Sequence, residues 1–248
     1  MIFRKLRLKF MGYQMREPGE LLIIIPARGG SKRLPRKNVL DLAGKPLICW
    51  TIDAALEAGL NARIVVSSDS DEILSIAQNY EKQGITSQKR PGELASDNAS
   101  TKDVVTDIVN SEQNAGRYPK IIILLQPTSP LRAAIDIRSA LRIYKESQSE
   151  ETVVSVCEVD HPKAWMGTLD ENFFIEGIDF SGKRSQDFQK EYRLNGAVYV
   201  ISVEKLMTKN KFFTENVKAS IMPRERSIDI DEGIDFQLCE KIISCWSY

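Results

Sequence analysis

The sequence predicts an α/β fold built around a mostly parallel sheet. Short apolar runs rich in β-branched residues are typical of buried strands, and the clearest examples are residues 21–25, 64–67 and 121–125. Segments with apolar residues at helical spacing separate these runs. Strands and helices in alternation favour parallel strands that are joined by right-handed crossovers.

The helices are predicted from apolar residues spaced three or four apart, because this spacing places them on one helical face. The four segments that show it are residues 48–56, 73–80, 104–109 and 137–144. With the strands, they extend the alternation through the first part of the chain.

The alternation stops after residues 153–159, which are predicted as a strand. Residues 160–191 have no helical period, and their aromatic residues stand among glycines and polar side chains: Trp165, Phe173, Phe174 and Phe180. We interpret this stretch as an arm of irregular β structure. Exposed aromatic side chains need a partner surface, so the arm predicts a homodimer.

The chain then returns to the sheet and ends in a helix. Residues 194–201 are predicted as a strand because they are again apolar and bounded by polar residues. One side of the closing helix is predicted to carry Leu238, Cys239, Ile242, Ile243 and Trp246.

Length and composition limit the class of protein. The chain has 248 residues, with 34 Lys and Arg against 34 Asp and Glu. We expect residues 1–19 to be a poorly ordered extension and residues 20–248 to form one domain. The balanced charge favours neither nucleic acid nor a membrane as a partner, and the apolar runs are too short to cross a bilayer. Four scattered cysteines without a C-x-x-C pair indicate reduced thiols in a cytoplasmic protein.

The most basic segment directly follows the first strand, at the sheet edge where ligands bind in open parallel sheets. Residues 25–38 have the sequence IPARGGSKRLPRKN, which combines glycines with five cations. Glycines let backbone N–H groups approach an anion, and clustered cations repel one another unless an anion lies between them. The segment predicts a phosphate site; the Walker A spacing is absent, and a solvated basic turn is the alternative.

A second polar segment, LLQPTSPLR, covers residues 124–132. Gln126 follows a buried strand directly, and its amide can both donate to and accept from a base or a sugar hydroxyl. Thr128 or Ser129 can instead cap the following helix.

A third polar segment, SIDIDEGIDF, covers residues 227–236. Asp229 and Asp231 alternate with isoleucines, so an extended chain directs both carboxylates to one side. Two carboxylates on one side suit Mg²⁺ that also holds substrate phosphates. The alternative is a helix cap at Asp231 and a solvent-facing Asp229.

Three weaker signals complete this region. Asp69 or Ser70 is interpreted as a helix cap, and RPGELASDNAST, residues 90–101, as a functional loop. His161 is the single histidine, so a histidine-based metal site or catalytic triad is excluded, and we expect a surface or packing role.

Taken together, these segments resemble the acylneuraminate cytidylyltransferases, the CMP-sialic acid synthetase family that includes the bacterial legionaminic and pseudaminic acid enzymes. The resemblance runs from residue 21 onward, in the order IPARGGSKRLPRKN, RPGELASDNAST, LLQPTSPLR, YRLNGAVYVI and DIDEGIDF. It implies a Rossmann-like domain of the nucleotide-diphospho-sugar transferase type. It also implies a protruding dimerisation arm at about residues 160–191.

The resemblance further implies roles for individual residues. The implied nucleotide-binding residues are Ala27, Arg28, Gly29, Gly30, Ser31, Lys32, Lys37, Asn38, Arg90, Ala99 and Thr101. Arg28 and Lys37 would contact the phosphates, and Gln126 the sugar or the nucleotide. Arg193 and Asn195 would contact the sugar, and Asp229 and Asp231 would bind Mg²⁺.

The implied reaction transfers CMP from CTP to an acidic nine-carbon sugar. Many sialic acid members have Gly-Ile where this chain has Arg33 and Leu34, and the R-L-P-x-K run resembles the CMP-Kdo synthetases. A CMP-Kdo synthetase is therefore the alternative enzyme. A nucleotide-binding protein without turnover is the alternative from another class.

Overall fold

The computed structural model describes residues 20–95, 99–147, 152–213 and 216–246. The extension predicted over residues 1–19 lies outside these ranges, as do residues 96–98 of the predicted functional loop. The strands are β1 (Leu21–Pro26), β2 (Asp41–Leu42), β3 (Lys45–Pro46), β4 (Ala62–Ser68), β5 (Ile85–Lys89), β6 (Ile121–Leu125), β7 (Thr152–Glu158), β8 (Thr168–Leu169), β9 (Ile175–Glu176), β10 (Tyr192–Ser202) and β11 (Val217–Ile221). The helices are α1 (Leu47–Glu57), α2 (Asp71–Gln78), α3 (Thr101–Asn114), α4 (Ala134–Glu146), α5 (Val203–Lys209) and α6 (Gly233–Trp246). Not one of these six helices is both long and apolar enough to span a membrane.

One sheet of seven strands organises the chain, in the order β11-β7-β10-β6-β1-β4-β5. β1 is parallel to β4 and β6, β4 is parallel to β5, and β7 is parallel to β11. Of the seven, β10 is antiparallel to both of its neighbours. The predicted α/β fold with a mostly parallel sheet is confirmed. The carboxyl ends of the parallel strands meet at one edge, where the N-terminal end of β10 joins them.

Helices cover both faces of the sheet, because successive residues of a strand point to opposite sides. In β1, Leu21, Ile23 and Ile25 pack with residues of α1, α2 and α4, whereas Leu22 and Ile24 pack with α3 and α5. A smaller third cluster lies under α6 and includes Ile230, from the segment that carries Asp229 and Asp231. Burial of Ile230 therefore anchors that segment to the domain.

The arm predicted over residues 160–191 leaves the sheet between β7 and β10. It contains the short strands β8 and β9 and otherwise irregular backbone, which confirms the predicted irregular β structure. Its side chains are strongly exposed, with Phe173 at 81% and Phe180 at 76%. The His161 ring centroid lies 5.9 Å from that of Trp165, so the histidine packs on the arm.

The face predicted for the closing helix is wrong at two positions. Cys239 and Ile243 are buried, but Leu238 and Trp246 are about half exposed. Because α6 contacts the domain through one narrow stripe, residues at the flanks of that stripe remain in solvent even when they are apolar.

Candidate active site

A cavity of about 500 Å³ opens at the carboxyl ends of β1 and β6. The predicted site residues that line it are Arg28, Ser31, Lys32, Lys37, Asn38, Arg90, Ala99, Thr101, Gln126, Asp229 and Asp231. The predicted residues outside its lining are Ala27, Gly29, Gly30, Arg193 and Asn195. The lining also includes residues that were not assigned from the sequence: Pro26, Arg33, Leu94, Val104, Pro127 and Thr128. Segments far apart in the chain thus meet in one cavity.

The loop after β1 is held by a contact with the end of β4. The Gly29 N–H donates to Asp69 Oδ1 at 2.9 Å, and a Cβ at Gly29 would lie 2.8 Å from Ser70 Cβ. Glycine is therefore required for this close approach. Asp69, interpreted above as a helix cap, fixes the loop instead. Ser70 precedes α2, but its side chain makes no capping hydrogen bond.

Lys37 connects the basic loop to the carboxylate segment. It is 8% exposed, its Nζ donates to the Ile230 carbonyl, and this Nζ lies 3.6 Å from Asp231 Oδ1. A buried ammonium needs such partners, because an unpaired charge away from water is costly. Lys37 is therefore held in the cavity wall and is not part of a solvated basic turn.

Asn38 and Arg90 form a buried polar wall of the cavity. Asn38 Nδ2 donates to the Arg28 carbonyl at 2.9 Å, and Arg90 Nη2 donates to the Ser67 carbonyl at 3.0 Å. Burial lowers the pKa of Arg90. Asn38 Oδ1 and Arg90 Nε are buried and have no hydrogen-bond partner among the atoms of the described residues. An acceptor and a donor in this wall can therefore bind a polar ligand.

Asp229 is the more buried of the two carboxylates. Its Oδ1 is buried and lacks a partner in the described part of the chain. Burial raises the pKa of Asp229; a hydrogen bond with Thr128 and the charge of Lys37 oppose this effect, and the charge of Asp231 adds to it. The sequence-based alternative, a solvent-facing Asp229, is wrong.

Asp231 faces cations on both of its oxygens. Arg33 Nη1 lies 2.8 Å from Oδ2, opposite the Lys37 contact. Asp235 accepts from the N–H groups of Asp231 and Glu232 at 3.0 and 2.8 Å, so Asp235 caps this turn. The alternative of Asp231 as the helix cap is therefore wrong.

The donor set of this segment fits a divalent cation with oxygen ligands. Over the described ranges, the chain brings together no group of three or more His, Cys, Asp and Glu residues that could hold a metal. Asp229 and Asp231 would supply two carboxylates, one with an unpartnered oxygen. Phosphates and water usually complete the coordination of Mg²⁺ in such sites.

Gln126 lies directly after β6, and the side chains considered as caps next to it do not cap α4. The N-cap of α4 is Ala133, and its N–H donates to Asp136 Oδ2 at 2.9 Å. Thr128 instead lines the cavity and hydrogen bonds with Asp229. The segment thus serves the cavity and not the helix terminus.

Gly196 brings the β10 backbone against Gln126. Its φ is 72°, and a Cβ at this position would lie 2.8 Å from Gln126 Oε1 and 3.8 Å from Asp229 Oδ2. Gly196 was not assigned from the sequence, and the Asn-Gly pair within a predicted strand was the signal that could have revealed it.

Gly196→Ala should lower the free energy of unfolding by about 1–2 kcal/mol, because alanine is strained at this φ, and should also displace Gln126. Gly44→Ala is the control, since Gly44 has a φ of 93° but open space around a Cβ. Urea unfolding of both variants checks this. An equal loss in the two would show that Gly196 and Gln126 are not in close contact.

Asn195 lies beside the cavity and is 2% exposed. Its Oδ1 accepts from Ser155 Oγ at 2.6 Å, and its Nδ2 donates to Ser227 Oγ at 2.8 Å. A sugar contact would require these buried bonds to break, so the geometry fits a structural role at Ser227 better than the predicted sugar contact. Arg193 is exposed at the start of β10.

Comparison with known proteins identifies the family. Residues 22–214 match the family described as Cytidylyltransferase. An N-acylneuraminate cytidylyltransferase of Streptococcus agalactiae serotype V is 39% identical over 220 residues, which are 87% of this chain and 51% of that protein. A CMP-N,N'-diacetyllegionaminic acid synthase of Legionella pneumophila is 35% identical over 230 residues, which are 90% of this chain and 96% of that protein.

A solved structure of CMP:2-keto-3-deoxy-manno-octonic acid synthetase complexed with CTP covers 92% of this chain and 99% of its own, with 17% identity and a TM-score of 0.68. This likeness confirms the nucleotide-sugar transferase type of fold. The chain spans about half of the streptococcal relative and nearly all of the Legionella relative. By family match and by these identities, the chain belongs to the cytidylyltransferase family, in the group of the N-acylneuraminate and legionaminic acid enzymes.

Proposed function

We propose that the protein transfers CMP from CTP to the anomeric hydroxyl of a sialic-acid-like nonulosonic acid and releases pyrophosphate. The sugar would be of the N-acetylneuraminic, legionaminic or pseudaminic type. The observation that carries the proposal is the junction of a basic loop with two carboxylates, where Lys37 Nζ lies 3.6 Å from Asp231 Oδ1. Cations suit a triphosphate, and carboxylates suit its divalent ion. The related N-acylneuraminate and legionaminic acid enzymes support this reaction.

The buried wall of Asn38 and Arg90 supports cytosine as the base. Cytosine presents an amino donor at N4 and acceptors at N3 and O2. Asn38 Oδ1 can accept from N4, and Arg90 Nε can donate to a ring acceptor; both atoms lack partners among the described residues. Leu94, Ala99 and Thr101 also line the cavity, and we assign them to contacts with the nucleoside.

The basic loop supports binding of the triphosphate. Arg28, Lys32 and Lys37 line the cavity together, and we assign them to the phosphates, with stabilisation of the leaving pyrophosphate as their main role. The Gly29 N–H is already bound to Asp69, so the side chains and the remaining backbone of the loop make the phosphate contacts.

We infer that Asp229 and Asp231 hold Mg²⁺. When bound, the ion offsets charge on the α-phosphate and on the leaving group. The sugar oxygen forms a bond to the α-phosphorus, the bond to pyrophosphate breaks in line, and the hydroxyl proton is released. Gln126, which meets Gly196 at the cavity wall, would orient the sugar or the nucleotide for this step.

The sugar carboxylate would bind Arg193, because a guanidinium matches a carboxylate with two parallel hydrogen bonds. Arg193→Ala should therefore raise the KM for the sugar about tenfold or more, the value of a lost charge-assisted hydrogen bond. Asn195→Ala should instead lower kcat and the free energy of unfolding, because it removes the bond from Asn195 Nδ2 to Ser227 Oγ, which lies at the start of the segment that carries Asp229. Steady-state kinetics with varied sugar checks this. An Arg193→Ala effect confined to the KM for CTP would move Arg193 to the nucleotide site.

We also propose that the protein forms a homodimer through the arm. We further propose that it is located in the cytoplasm. Exposed Phe173, Phe174 and Phe180 support an apolar partner surface. The four free cysteines, three of them buried, are compatible with a reducing compartment. Sedimentation should find dimers at micromolar concentration, and monomers alone would refute the dimer.

Pyrophosphate release tests the function directly. The assay contains CTP, Mg²⁺ and, separately, N-acetylneuraminic, legionaminic, pseudaminic or Kdo acid. We expect release with one nine-carbon acid and none when ATP or GTP replaces CTP. Release with Kdo alone would establish the CMP-Kdo synthetase alternative. If CTP binds but no acid leads to pyrophosphate release, the alternative of a nucleotide-binding protein without turnover would be favoured.

A further inference from the structure

Asp136 lies in the first turn of α4, outside the lining of the cavity, and is 5% exposed. Its carboxylate forms a two-bond pair with a guanidinium far away in sequence. Arg226 Nε lies 2.9 Å from Oδ2 and Arg226 Nη2 lies 3.0 Å from Oδ1. A bidentate pair with a buried carboxylate and a partly exposed guanidinium fixes both the position and the direction of the arginine.

Arg226 leads directly into the carboxylate segment. Residues 227–231 after it form no helix or strand, so no ladder of backbone bonds sets their position. Their path depends on single contacts, such as the Ile230 N–H that donates to the Thr128 carbonyl at 2.8 Å. The Asp136–Arg226 pair holds the start of this segment, three residues before Asp229.

Asp136 also accepts from the Ala133 N–H at 2.9 Å, and Arg132 precedes Ala133 in the chain. Arg132 is 2% exposed, and its Nη1 donates to the carbonyls of Gln126 at 3.1 Å and Ala197 at 3.0 Å. Burial lowers the pKa of Arg132 to about 9, and the charge of Asp136 opposes this shift.

We propose that Asp136 is a positioning residue for the transfer reaction, which fixes the start of the Asp229–Asp231 segment through Arg226. The inference rests on the proposed function. It concerns a side chain that lies outside the cavity lining and acts through Arg226.

Asp136→Asn tests the proposal, because it removes the charge with little change in shape. We expect kcat to fall about 10²-fold, the usual effect of a small misplacement of catalytic groups. The KM for CTP should change much less, because Asn38 and Arg90, which we assign to the base, bond to the Arg28 and Ser67 carbonyls and not to the Asp229–Asp231 segment. Hydrogen exchange should also accelerate at the Ile230 N–H.

Glu112→Gln is the matched control. The Glu112 side chain is as buried as that of Asp136, at 5%, and it pairs with two arginines, Arg117 and Arg63, away from the cavity. Glu112→Gln should lose stability to a degree similar to Asp136→Asn. Its kcat and the hydrogen-exchange rate of the Ile230 N–H should remain those of the wild type. Equal loss of kcat in both variants, or normal kcat in Asp136→Asn, would overturn the proposal.

A double variant gives a further test. If Asp136 and Arg226 act together, kcat of the double variant Asp136→Asn with Arg226→Gln should be little lower than that of either single variant. If the two fold-losses of kcat multiply instead, the two residues act independently and the proposal is refuted. Wild-type protein without pyrophosphate release would refute the proposed function alone. The exchange rates at Ile230 would then still decide whether Asp136 holds the segment.

Discussion

Asp231→Ala should lower kcat by about 10³-fold or more, and the fold should survive. Asp231 supplies one of the two carboxylates for the metal that offsets charge on the reacting phosphates, and loss of such electrostatic stabilisation has effects of this order. Its side chain is 53% exposed, and its partner Arg33 is also exposed. Exposed ion pairs contribute little to stability. Lys37 loses its longer contact with Asp231 but keeps its bond to the Ile230 carbonyl, so the melting temperature should fall only slightly.

Pyrophosphate release at saturating CTP and sugar measures this loss, with circular dichroism to follow unfolding. Asp71→Ala is the matched control, since Asp71 also pairs with an exposed cation, Lys89, but lies outside the cavity lining. It should keep wild-type kcat. A near-normal rate in Asp231→Ala would remove Asp231 from the metal site.

Asp229→Asn should cause a similar loss of kcat. It should also be more stable than the wild type, by a margin that grows as the pH rises. Burial and the nearby Asp231 raise the pKa of Asp229, although Thr128 and Lys37 oppose them. The folded protein therefore holds this proton at a pH where the unfolded chain, with a pKa of about 4, has released it. Stability of the wild type falls as the pH rises through that window. The uncharged asparagine removes this effect.

Urea unfolding from pH 4 to pH 8 without added divalent ions measures the difference. The advantage of Asp229→Asn over the wild type should be smallest at the acid end, increase with pH and become constant above the raised pKa. An advantage that shrinks with rising pH would mean that the charged form of Asp229 is favoured in the fold. Asp229 and Asp231 are separated by Ile230 alone. Their substitution should reduce kcat to a similar extent but change the free energy of unfolding differently.

The central strands could be predicted from sequence because both of their faces are buried. β1 and β6 consist almost entirely of branched apolar residues, whereas β5 and β11, at the two ends of the sheet, were not predicted. Their sequences, ITSQK and VKASI, contain polar residues that remain compatible with a solvent-facing edge. A short polar strand carries too little hydrophobic pattern to be distinguished from a loop.

In the cavity, the residues predicted from local patterns were those in the loops after β1 and β6 and in the paired-aspartate segment. Arg33, Gly196 and Asp136 were not assigned, because their contacts join parts of the chain far apart in sequence. Asp136 and Arg226 are 90 residues apart, and such a pair leaves no local signature. Asn195 remains a predicted sugar contact, but its amide bonds to Ser155 and Ser227, which is a long-range arrangement that a motif does not reveal.

The base of the arm has a consequence for how this enzyme type can diversify. Tyr192 is paired with Glu158 across the sheet, and the Val159 N–H donates to the Glu191 carbonyl at 3.0 Å, so the arm begins and ends at the same point. The entropy of closing such an insertion grows only with the logarithm of its length. Sequences of different length can therefore replace one another here without disturbing the sheet. We therefore expect chimaeras that exchange residues 160–191 to keep the seven-stranded sheet and the cavity.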